Sequence, residues 1–79
     1  MLLKFNSIQD GMGPSESIVS VPTNDGVEEV AAYPGQLIDH ALRVSPITEH
    51  NGNVLVELPS ESFSGKWRVW VSRSNTESE

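Results

Sequence analysis

An all-β fold is what this sequence predicts, on three observations. Four short runs are rich in β-branched and aromatic residues, Asp-Gly and Asn-Gly pairs sit beside apolar alternations, and neither a heptad nor an internal repeat is visible. The expected strands are Leu2–Asn6, Ser17–Pro22, Asn53–Pro59 and Lys66–Arg73, each bounded by turn-forming residues.

Between the first two runs, Ser7–Glu16 places Gly11, Gly13 and Pro14 within four positions, which opposes regular structure and predicts an ordered surface loop. Thr23-Asn24-Asp25-Gly26 then predicts a hairpin joining Ser17–Pro22 to Glu28–Tyr33. The rival is a short helix capped by Asp25, with Glu28 completing a capping box. Tyr33-Pro34-Gly35 would end either element.

Gln36–Val44 carries two periodicities. Leu37, Ile38, Ala41 and Leu42 form a helical stripe, whereas Ile38, His40, Leu42 and Val44 alternate as a strand face, and the strand is preferred. An α+β fold with a short helix in 26–43 is therefore the alternative class. Asn51-Gly52, flanked by apolar alternation, predicts pairing of Ile47–His50 with Asn53–Leu58. Ser60–Gly65 is a polar connector, after which Trp67–Val71 should pair antiparallel with Val54–Leu58.

A chain of 79 residues holds one core, so 1–73 is expected as a single small β domain and 74–79, polar and acidic, as a flexible tail. Five or six short strands in that length predict a small closed or partly open antiparallel barrel or roll of SH3-like size, which would remove exposed edges. With no cysteine, neither disulfides nor a cysteine-based zinc site supports the core. The opening apolar stretch is shorter than a signal peptide's, and no run approaches a membrane span, so the expected location is cytoplasmic.

Eleven acidic against five basic side chains give a formal charge of −6, which repels phosphate backbones and anionic lipid surfaces and disfavours nucleic acid as a partner. Three of the basic residues, Lys66, Arg68 and Arg73, lie close together near the C-terminus.

Catalytic chemistry finds little to work with. Ser15, Ser17, Ser60, Ser62 and Ser64 lack the strand–turn–helix frame of a nucleophile elbow. Gly11-Met12-Gly13 lacks the third glycine, the lysine and the helix of a phosphate loop. Asp39-His40 and Glu49-His50 each set an acid beside an imidazole, but strand neighbours point to opposite faces, so each pair offers one ligand to a given side and two are too few for zinc.

The last strand is the most informative. By alternation Trp67, Val69 and Val71 share one face, and Lys66, Arg68, Trp70 and Ser72 the other. The uniformly apolar face should be inside, so Trp67 is expected to be the more buried tryptophan and Trp70 to stand outside, unless the Ser7–Glu16 loop covers it with Ile8 and Met12. Glu57 should share the outer face and pair across the ladder with Arg68.

The candidate interaction face is thus Lys66, Arg68, Trp70 and Glu57, with no catalytic, metal or cofactor residue assigned. The expected function is a non-enzymatic interaction module that binds a protein partner or itself through this face, with no membrane role. The alternative is a small single-stranded nucleic-acid-binding β-barrel, favoured by a tryptophan among cations.

Overall fold

A computed structural model describes residues 1–79. It contains ten short strands: β1 (Leu2–Lys4), β2 (Ser7–Asp10), β3 (Ser17–Thr23), β4 (Gly26–Ala32), β5 (Leu37–Ile38), β6 (Ala41–Arg43), β7 (Ser45–His50), β8 (Asn53–Glu57), β9 (Arg68–Ser72) and β10 (Thr76–Glu77). The only helical segments are 3-10 turns at Pro34–Gln36 and Arg73–Asn75. The fold is mainly β, and no helix is long and apolar enough to cross a membrane.

The strands form three antiparallel sheets, ordered β10-β1-β6-β5, β2-β3-β4 and β7-β8-β9. No closed barrel results. The sheets remain separate ladders, and Asn24 N–H in the β3–β4 turn donates to the Trp70 carbonyl of β9 (2.9 Å), a backbone bond between two of them.

Alternation sets the core. Val19 and Val21 on β3, Val30 and Ala32 on β4, Val54 and Val56 on β8, and Val69 and Val71 on β9 all point to one interior. Leu3 and Leu42, opposite each other in the β1–β6 ladder and fully buried, complete it together with Val44 and Leu58. Stiff β-branched side chains lose little rotamer freedom on a pleated surface, which suits a core of this size.

Several elements differ from expectation, each for a local reason. Ser7–Glu16 is not all loop, because its breakers begin only at Gly11 and Ser7–Asp10 is free to pair with β3 as β2. The first hairpin turns at Asn24-Asp25, one residue earlier than expected, and Gly26 carries the positive φ (127°) as the first residue of β4. Thr23 secures this turn, its hydroxyl accepting from Asp25 N–H (3.2 Å) and donating to the Gly26 carbonyl (2.9 Å).

The segment 26–43 holds no short α-helix, which corrects the α+β alternative. Strand β4 occupies its first half, and Gln36–Val44 folds as a two-strand hairpin, β5 on β6, where one strand was expected. Asp39 at φ 53° reverses the chain there, a conformation Asp tolerates better than most residues. Asn51 and Gly52 both take positive φ (50° and 78°), as a two-residue hairpin turn requires, so the β7–β8 hairpin matches its sequence signal.

Residues 74–79, expected as a tail, instead continue through the Arg73–Asn75 turn into β10, which pairs with β1. Ion pairs hold the C-terminal part of that strip, Lys4 with Glu77 (3.4 Å) and Arg43 with Glu79 (3.0 Å), and Asn75 Nδ2 donates to the Lys4 carbonyl (3.0 Å). A polar stretch can add an edge strand when its side chains stay wet and its backbone is paired.

Candidate interaction face

Strands β8 and β9 present their valines inward, so Asn53, Leu55 and Glu57 face out on β8 and Arg68, Trp70 and Ser72 face out on β9. Register makes three rows of these residues. Leu55 lies opposite Trp70, Glu57 opposite Arg68 and Asn53 opposite Ser72, and Thr48 of β7 continues the central row. Arg68 Nε sits 3.1 Å from Glu57 Oε1, the expected cross-strand pair. Trp70 is 36% exposed and stacks an apolar row between two polar ones.

The Ser7–Glu16 loop, the alternative cover for Trp70, leaves Ile8 half exposed and Met12 almost wholly so. Lys66 stands apart from Arg68. It precedes β9, and its ammonium lies 3.6 Å from the Glu28 carboxylate on β4.

Trp67 corrects the expected order of burial. It is 53% exposed, more than Trp70, although its face-mates Val69 and Val71 are buried as the alternation requires. Strand β9 begins only at Arg68, and Leu58, bonded through its N–H to the Trp67 carbonyl (2.8 Å), fills the last core position at that end. The indole is left lining an open groove of about 530 Å³ with Val44, Pro46, Leu58 and Pro59. Strand alternation gave its side but not the point at which the core ran out.

The one largely buried carboxylate, Glu28, read from the sequence only as the start of a hairpin arm or as a capping-box residue of the rival helix, lies on β4. The Ser64 hydroxyl donates to it, the Ser62 hydroxyl lies 3.3 Å from that of Ser64 and accepts from Lys66 N–H (3.0 Å), and the Lys66 ammonium completes the cluster. Hydrogen bonds from Ser64 and then Ser62, with the charge of Lys66, hold the Glu28 carboxyl below its usual 4.5 although burial opposes them. A carboxylate so stabilised is a weak base. Ser64 is tied to it as a donor and Ser62 stands behind Ser64, in a loop further bound to β4 by Phe63 N–H to the Glu29 carbonyl (2.9 Å) and Ser60 Oγ to Ala31 (2.9 Å).

The two acid–histidine pairs lie in different sheets. His40 occupies the β5–β6 turn with its ring nearly perpendicular to that of Phe5 (79°), and His50 ends β7 with its ring 3.1 Å from the Asn51 side-chain amide. In the Gly11–Glu16 loop the Glu16 carboxylate accepts from Met12 N–H (3.0 Å), so an acid takes the backbone donor that a phosphate would need. Comparison with protein-family models, curated proteins and solved structures finds no match.

Proposed function

We propose that the chain is a non-enzymatic interaction module that engages a protein partner, or a second copy of itself, through the outer face of β9. The observation that carries this reading is the Thr48–Leu55–Trp70 row, an aromatic and an aliphatic side chain set on the solvent side of a sheet whose core lies on the other side. A tryptophan that is partly exposed and rimmed by an ion pair is the arrangement of an interface anchor.

Electrostatics favours protein over nucleic acid. All five cations are paired with glutamates: Lys4 with Glu77, Arg43 with Glu79, Lys66 with Glu28, Arg68 with Glu57 and Arg73 with Glu49. Binding a phosphate backbone would require breaking those pairs on a surface of net charge −6. The lowered Glu28 carboxyl supports a structural role for the nearby serines.

The test compares the native chain with Trp70→Ser by sedimentation in extract of the source cells and again after purification. A native species larger than the monomer that reverts to monomer size in the variant supports the reading, and self-association survives purification. Monomer size for both proteins in both settings contradicts it.

A further inference from the structure

The apolar row that crosses the β2-β3-β4 sheet ends in the open. Val30 and Val19 lie opposite each other and are fully buried, and Ile8, opposite Val19 on edge strand β2, is 51% exposed. The backbone beside Ile8 is open as well. Gly11 N–H donates to the Glu16 carbonyl (2.8 Å), and antiparallel ladders alternate bonded with unbonded positions. The bonded positions of β2 are therefore Ser7 and Gln9, and Ile8 and Asp10 turn their N–H and C=O groups away from β3.

Other sheet edges are closed. The Glu29 and Ala31 carbonyls of β4 are taken by the Ser60–Gly65 loop, and the Trp70 carbonyl of β9 by Asn24. Strand β7 carries Pro46, which has no N–H, and a register break between Pro46 and Thr48. Strands β5 and β10 offer two residues each. Strand β2 has neither proline, lysine nor a covering loop, the usual protections of an edge.

We propose that β2 accepts an extended, basic segment of a partner protein as an additional strand, a binding surface separate from the β9 face. Charge selects the occupant. Asp10 lies on the open edge and Glu16 flanks it, neither is ion-paired, and no cation of the chain is free to answer them. A second copy would bring the same acids and the same net charge to the contact.

Register defines the segment further. Ile8 and Asp10 share a face, so the residues opposite them are two apart. An apolar residue extends the Val30–Val19–Ile8 row, and a lysine or arginine meets Asp10. In antiparallel pairing the cation comes first, giving the pattern cation, any residue, apolar residue. Met12, 95% exposed, follows β2 two residues after Asp10 and leaves an apolar side chain near that end of the strand.

The probe is the capped peptide Ser-Lys-Thr-Val-Thr-Ser, titrated into the isotope-labelled chain, with a counterpart carrying Glu for Lys. Saturable amide shifts confined to Ser7–Met12, severalfold weaker at physiological than at low salt, and absent with the Glu peptide, are the expected result. Ile8→Pro removes an outward N–H and spares the ladder donors, so the fold should persist while peptide shifts disappear. Asp10→Lys, which leaves the backbone unchanged, should abolish them too and serves if the proline variant unfolds. Shifts centred on Trp70, equal response to both peptides, no response at millimolar peptide, or self-pairing of β2 without peptide would each overturn the proposal.

Discussion

Ser64 donates its hydroxyl hydrogen to the Glu28 carboxylate, tying the connector before β9 to strand β4 across 36 positions of sequence. Removing that acceptor's charge leaves Ser64, Ser62 and Lys66 with weaker partners. Glu28→Gln should therefore lower unfolding free energy by about 1 to 2 kcal/mol, measured by urea denaturation at neutral pH.

The same cluster fixes a pH dependence. The folded carboxyl of Glu28 titrates below its usual 4.5, so its contribution is complete above that value and is lost as pH falls through the lower, folded pKa. Midpoints for the native chain should decline on acidification from pH 5 to below 4.5 more steeply than those of Glu28→Gln. Parallel curves for the two proteins would show that the cluster does not hold the carboxylate.

Truncation should discriminate sharply between Leu42 and Trp67. Leu42 is fully buried opposite Leu3, and Leu42→Ala should cost about 2 to 5 kcal/mol. Trp67, more than half exposed, should lose less than about 1 kcal/mol on the same change. Comparable losses in thermal or chemical unfolding would mean that the indole is packed.

Thr76 tests the C-terminal strip. Its N–H and hydroxyl both bond to the Arg73 carbonyl, and it lies opposite Leu3. Thr76→Pro removes the donor and should detach β10, seen as faster amide exchange at Leu2 and Leu3 with little change at Val54 and Val71.

The hairpins were legible where one local signal sufficed, as at Asn51-Gly52, where both residues can reverse the chain. The facing of β8 and β9 was equally legible from alternating valines. What escaped depends on partners far away in sequence. Strand β2 forms because β3 offers a free edge, β10 because β1 does, and no local propensity in Ser7–Asp10 or Thr76-Glu77 announces either pairing. Glu28 shares the inward parity of Val30 and Ala32 on β4, yet nothing local in the sequence names the connector serines and Lys66 that partner its carboxylate. At the candidate face, Arg68, Glu57 and Trp70 meet as the alternation requires, whereas Lys66 and Trp67 lie outside the regular strand, where alternation no longer governs direction.

Mixed-sequence single-stranded DNA or RNA should not bind at physiological salt, since each of the five cations already faces a glutamate. Tryptophan quenching and gel shift check this. Micromolar binding that weakens with salt and is lost in Arg68→Ala or Trp70→Ala would favour a single-strand binder.

The β9 face itself is tested most directly by photo-crosslinking in the source cells, with a photoreactive phenylalanine replacing Trp70 in one variant and the exposed Val27 in another. Irradiation should join the first variant to one discrete protein, a partner or a second copy, at a yield well above that of the second. Equal yields at both positions, or no adduct from a folded and expressed position-70 variant, would contradict an interface on the outer face of β9.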